Sequence, residues 1–113
     1  MLNTYILDTD GRTPIQCDDL LQWTKWFHVT INRKVNYTII NTNVSVSTIF
    51  IGIDYSFGNS DKPILWETMI FGGYGKTRRY SSYEDAVKGH AEVIKHAEKA
   101  ARKETNSSKT PKA

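Results

Sequence analysis

Short runs of β-branched and aromatic residues, separated by turn residues, dominate the chain between positions 35 and 80. They predict four successive strands, near Val35 to Ile40, Val44 to Ile53, Ile64 to Phe71 and Arg78 to Tyr80. The stretches 41–43 and 72–75 carry Asn and Gly and would close the first and last hairpins, whereas the link from Asp54 to Pro63 is longer. Because short turns join antiparallel neighbours, we expect a meander in chain order.

A hairpin and two helices complete the predicted fold. Residues 4–7 and 13–16 flank a turn sequence and predict the hairpin, while Asp18 and Asp19 precede an amphipathic helix from Leu20 to Phe27. Serines 81 and 82 have capping-box spacing before a longer helix, which would end near Lys103. The apolar stripe of this helix contains Tyr83, Ala86, Val87, His90, Val93, Ile94, Ala97 and Ala101. We therefore predict one α+β domain over residues 1–103, with a largely antiparallel sheet of four to six strands and the longer helix C-terminal. Residues 104–113 form a predicted flexible basic tail.

The two central strands are apolar on both of their faces. In the third strand, alternation separates two apolar triplets, which are Ile64, Trp66 and Ile70 on one face and Leu65, Met69 and Phe71 on the other. Either the two helices cover opposite faces, or both cover one face and a second subunit covers the other. We expect a homo-oligomer.

Composition and charge narrow the classes of protein. The 113 residues are 39% hydrophobic and 24% charged, which is typical of one compact domain. The formal charge is +3, but residues 99–113 hold five basic residues and one acidic residue, so residues 1–98 carry a net charge of −1. Nucleic-acid binding by the body of the chain is therefore not expected. The single cysteine, Cys17, favours an intracellular protein, and the sequence shows neither a signal-peptide pattern nor a membrane-spanning apolar run.

Catalytic motifs are scarce, and we expect no enzyme, metal or cofactor. The histidines lack metal-ligand spacing, and neither a Cys-His pair nor a Gly-Lys-Ser/Thr phosphate loop is present. His90 lies within the apolar stripe, as either a hydrogen-bonded core histidine or a ligand contact beside Gly89. Glu67 lies inside a strand, where its carboxylate needs water or a partner such as Arg78 or Arg79, unless it serves a ligand.

Aromatic and basic residues gather around the 54–63 link and the 72–80 turn, where they could anchor a partner protein. The cations and tyrosines of positions 74–80 could alternatively hold a phosphate or a base. The predicted partner- or ligand-binding residues are Trp26, Asp54, Tyr55, Phe57, Glu67, Arg78, Arg79, Tyr80 and His90.

Residues 46–58 (VSTIFIGIDYSFG) and 63–73 (PILWETMIFGG) resemble a family of small bacteriophage and prophage proteins, and similarity extends roughly from Tyr5 to Ile94. The resemblance implies a setting, the cytoplasm of a bacterial host, and no reaction. On this basis we predict an accessory protein that binds and inhibits a host protein, such as a defence factor, without catalysis. Two alternatives are a binder of a small nucleotide signal, using Arg78, Arg79, Tyr80 and His90, and a structural protein that binds nucleic acid through its basic tail.

Overall fold

The structure, a computed structural model, describes residues 3–30, 33–73, 75 and 77–108, with side chains as far as residue 103. Its elements are β1 (Tyr5–Leu7), β2 (Pro14–Gln16), α1 (Leu20–Val29), β3 (Lys34–Ile39), β4 (Ser45–Phe50), β5 (Trp66–Phe71), β6 (Arg78–Tyr80) and α2 (Tyr83–Ser108). β1 and β2 form an antiparallel hairpin, and β3 to β6 form an antiparallel sheet in chain order. The predicted α+β meander with the longer helix C-terminal is confirmed.

Both helices begin at side-chain caps. The Asp19 carboxylate accepts hydrogen bonds from the backbone N–H groups of Leu21 and Gln22, and the Ser82 hydroxyl accepts one from Asp85. α2 continues past its predicted end near Lys103 to Ser108, so the segment predicted as a tail begins as helix. Residues 109–113 lie outside the described residues, as do Tyr74 and Lys76 of the predicted phosphate-holding turn.

The two helices and the hairpin pack on the same face of the four-stranded sheet, which we call the inner face. Val93 and Ala97 of α2 cover Val46, and Ala86 packs with Phe50 and Trp66 in the main core cluster. Leu7 of the hairpin and Trp26 of α1 join this cluster, and the Trp26 and Phe50 rings meet edge-on with centroids 5.8 Å apart. Of the two arrangements that the sequence leaves open, the structure shows both helices on one face.

The opposite face of the sheet, which we call the outer face, has no covering layer among the described residues. Its exposed large side chains are Tyr37, Ile39, Met69 and Phe71. Leu65, predicted to share a face with Met69 and Phe71, is instead fully buried beside Trp66, because it precedes β5 and leaves the strand alternation. Leu20, the first residue of the predicted amphipathic helix, is also exposed. No helix in the described part of the chain is long and apolar enough to span a bilayer.

Candidate functional site

Predicted site residues from the 54–63 link and from β5 and β6 meet at one end of the outer face. The Arg79 Nε donates a hydrogen bond to Glu67 Oε2 over 2.9 Å, since these residues face each other across β5 and β6. The Arg79 guanidinium lies 4.6 Å from the ring centroid of Tyr55, and the Tyr55 and Phe57 rings are 6.1 Å apart. We call Tyr55, Phe57, Glu67 and Arg79 the link cluster.

The residues of the link cluster differ in exposure, so that Glu67 supports the surface while Arg79 and Phe57 form it. The Glu67 side chain is 12% exposed, whereas the Arg79 side chain is 44% exposed and Phe57 is 65% exposed. An ion pair at a surface contributes at most about 1 kcal/mol to stability, so the main effect of Glu67 is to orient Arg79. The resulting surface combines two aromatic rings with an oriented, accessible arginine, which is the composition of binding hot spots.

Asp54 holds the two ends of the link in place. The residue is buried, and its Oδ1 accepts the backbone N–H groups of Ser56 at 2.8 Å and Ile64 at 2.9 Å. Burial raises the pKa of the Asp54 carboxyl, but its hydrogen bonds to Ser56 and Ile64 outweigh this effect and leave the pKa below its ordinary value. Asp54 therefore positions Tyr55 and Phe57 and does not itself form part of the exposed surface.

An open groove of about 560 Å³ lies beside the link cluster. Both cationic and anionic side chains line it, together with polar groups from the link, from β6 and from the start of α2: Ser60, Asp61, Lys62, Ile64, Arg79, Tyr80, Ser81 and Asp85. Lys62 and Arg79 would attract an anion, and Asp61 and Asp85 would repel it. The groove is therefore not specialised for a highly charged ligand.

His90 belongs to a buried hydrogen-bond network rather than to a surface site. It is 1% exposed, and its Nδ1 and Nε2 atoms lie 2.7 Å and 2.9 Å from the hydroxyls of Thr48 and Thr38. The Thr48 hydroxyl also lies 2.5 Å from that of Thr68, which in turn bonds the Tyr80 hydroxyl at 2.9 Å. Burial lowers the pKa of the His90 imidazole, so the ring is neutral at pH 7. Of the two hypotheses for His90, a hydrogen-bonded core residue or a ligand contact, this arrangement matches the first.

Gly89 allows a close approach, as the sequence indicated, but the approaching group comes from the same chain. A Cβ atom at position 89 would overlap the ring and hydroxyl of Tyr80. The space beside Gly89 is thus filled by the Tyr80 side chain.

The remaining predicted site residues lie apart from the link cluster. Arg78 is paired with Glu92 of α2 at 2.7 Å, because neighbouring strand residues point to opposite faces. Trp26 packs against Phe50 and Phe27 in the core. The predicted nucleotide-binding set consequently does not converge as a whole: Arg79 and Tyr80 line one groove, but Arg78 is paired with Glu92 and His90 is buried.

Sequence analysis overlooked Tyr37 and Ile39 of β3. They lie on the outer face with Met69 and Phe71, beside a second groove of about 450 Å³ formed with the 41–43 turn and Gly72. Their alternation around Thr38 was visible in the sequence. The sequence did not show which of the two faces would be covered, because that depends on where the helices pack.

Comparisons with protein-family models, with curated proteins and with solved structures found no match to this chain. The similarity of residues 46–58 and 63–73 to bacteriophage proteins therefore stays a prediction. Within the described ranges, no group of three or more His, Cys, Asp or Glu side chains is arranged to hold a metal ion.

Proposed function

We propose that this chain is a non-catalytic binding protein that engages a partner protein through the link cluster. The observation that carries this proposal is the pair of accessible rings, Tyr55 and Phe57, beside an arginine held in one orientation by Glu67. Tyrosine and arginine at a surface lose little conformational entropy on binding when contacts within the free protein already order them, as Glu67 and the Tyr55 ring do for Arg79.

The titratable side chains of the predicted site already have hydrogen-bond partners within the chain, which favours binding over catalysis. The Glu67 carboxylate accepts the Arg79 guanidinium, and the Asp54 carboxylate accepts two backbone N–H groups. His90 is buried and neutral, with a hydroxyl beside each ring nitrogen. A general acid or base has to reach its substrate, and these three groups are already used to hold the fold together.

The finer form of the proposal is that the partner is a bacterial host protein, such as a defence factor, that is inhibited in the host cytoplasm. Its support is the resemblance of residues 46–58 and 63–73 to small bacteriophage proteins, because these segments contain Tyr55, Phe57 and Glu67. Inhibition would follow from covering a surface that the host protein needs, without chemistry by the bound chain.

The groove beside the link cluster supports a small-ligand binder as the second candidate function. Arg79 and Lys62 could pair with one phosphate, although Asp61 and Asp85 line the same groove and weaken the attraction. A protein partner is favoured because the exposed rings project outside this groove's lining.

The test is a comparison of tagged proteins in affinity capture from a bacterial lysate. We expect the triple variant Tyr55→Ala, Phe57→Ala, Arg79→Ala to lose partners that the wild type retains. The matched control replaces exposed apolar and basic residues of α1, as Leu20→Ala, Leu21→Ala, Lys25→Ala, and should retain those partners. Each captured protein is then purified and titrated against both variants.

Circular dichroism and thermal unfolding establish that the triple variant is folded. If the folded triple variant bound every partner with wild-type affinity, the link cluster would not be the binding surface. Native mass spectrometry separates the second candidate: an added mass of a few hundred daltons that disappears on denaturation indicates a retained small ligand.

A further inference from the structure

Two ridges of exposed apolar side chains run along the outer face, on either side of a line of serines. The register of β3, β4 and β5 forms two rows across the sheet, Ile39–Ser45–Phe71 and Tyr37–Ser47–Met69. Ile39 is 69% exposed and Phe71 is 50% exposed, whereas Ser45 and Ser47 are partly covered at the bottom of the depression between the ridges.

We propose that this face is the interface of a homodimer in which two copies pack their outer faces together. Residues of β3 and β5 are two strand spacings apart, so the ridges are separated by about 9–10 Å. That gap is wide enough for a ridge of the second copy to lie over the serines. A two-fold axis makes the contact reciprocal, because each copy then offers one ridge and receives another.

The area of the face fits a second copy. Large side chains of this kind each present about 150–250 Å² when fully exposed, so the four partly exposed ones present on the order of 400 Å². That lies within the range of the largest apolar patch on a typical monomer, a patch that is often functional, and it is about half of what each partner buries in a standard interface. The serines and the neighbouring 41–43 turn supply polar area around it.

The charge of the face also favours a second copy over a charged partner. All six residues of the two rows are uncharged, so two identical faces meet without repulsion. Three charged side chains of this face flank the two rows: Glu67 and Arg79 form an internally compensated pair towards the other end of β5, and the Lys34 ammonium lies 5.2 Å from the ring centroid of Tyr37.

Packing between faces is favoured over pairing between sheet edges. β3 is an edge strand, but its register with β4 shifts between Lys34 and Asn36, which marks an irregularity of the kind that protects edges from pairing. The opposite edge, β6, is only three residues long. The dimer would carry two link clusters, although the dimer inference does not depend on their function.

The test measures mass in solution across the micromolar range by light scattering coupled to gel filtration. We expect the wild type to have twice the 12.9 kDa chain mass. Ile39→Glu places a charge in the interface and should weaken the dimer at least about thirtyfold. The matched control is Val29→Glu on α1, where the native side chain is equally exposed and the dimer should persist.

A second measurement covers the case in which Ile39→Glu does not fold. Ser47→Cys places a thiol in the line of serines, and a short bis-maleimide should link two copies through it, whereas Thr24→Cys on exposed α1 should not be linked. A wild-type protein of single-chain mass throughout the range would overturn the proposal. So would a dimer that survives in folded Ile39→Glu, or equal cross-linking at both cysteines.

Discussion

Replacing Gly89 with alanine tests how tightly β6 is packed against α2. A Cβ atom at this position would overlap the Cε1, Cζ and Oη atoms of Tyr80. The ring is not free to move away, because its hydroxyl bonds Thr68 at 2.9 Å and the Tyr80 carbonyl accepts the backbone N–H of Leu65 at 2.9 Å. We therefore expect Gly89→Ala to destabilise the fold.

Two opposing effects set the magnitude. Alanine in a helix interior is more favourable than glycine by about 1 kcal/mol. Overpacking costs about 1–3 kcal/mol, and displacing the ring would forfeit the Tyr80–Thr68 hydrogen bond, worth about 1 kcal/mol. The net loss expected for Gly89→Ala is about 1–3 kcal/mol. In a Tyr80→Val background the overlapping atoms are gone, so the same substitution should stabilise the fold by about 1 kcal/mol.

Denaturant unfolding of the four proteins in this double-mutant cycle gives the required free energies, provided that the m-values agree. The expected result is a change of sign: Gly89→Ala lowers the midpoint in the wild-type chain and raises it in the Tyr80→Val chain. A raised midpoint in both backgrounds would refute the reasoning, since it would show that the Tyr80 ring gives way at no cost.

Two further predictions concern buried titratable groups. Because burial lowers the pKa of His90 below its ordinary value of 6.5, the unfolded chain binds this proton more readily. Stability should be full above that value and fall by up to about 1.4 kcal/mol per pH unit below it, and denaturant midpoints of wild type and His90→Gln between pH 8 and about pH 5 test this. Asp54→Ala removes the acceptor of two backbone N–H groups and should cost about 1–3 kcal/mol in thermal unfolding, whereas Asp54→Asn, which keeps an oxygen acceptor, should cost less.

Turn chemistry and side-chain alternation were sufficient to predict the strands and their order, but not where the central strands stop. The strand predicted from Val44 to Ile53 ends at Phe50, because Gly52 has a positive φ and its carbonyl accepts the N–H of Tyr5 in the hairpin. The strand predicted from Ile64 begins at Trp66 for a similar reason: the Ile64 carbonyl accepts the N–H of Tyr55 in the link. Both boundaries depend on contacts with distant segments.

The partner of Glu67 was predictable only as a choice between Arg78 and Arg79. A shift of one residue in strand register turns a side chain to the other face, and the sequence does not contain the register. The His90 network was harder to foresee, because its hydroxyls come from β3, β4, β5 and β6. His90 could be placed in the core from its position in the apolar stripe, but its partners could not be named.

The sheet buries polar side chains on its inner face and exposes apolar side chains on its outer face, which is the reverse of what stabilises a monomer. At the centre of the inner face, Thr48, Thr68 and His90 are buried and hydrogen-bonded, which yields little net stability. The outer face leaves on the order of 400 Å² of apolar side chain in water, and covering that area corresponds to about 10 kcal/mol per copy at 25 cal/mol per Å². Only the part of this gain that exceeds the costs of association and of ordering the side chains contributes to the stability of a dimer. A dimer through the outer face removes this apolar area from water, and the same balance predicts that Ile39→Glu shifts the chain to the monomer.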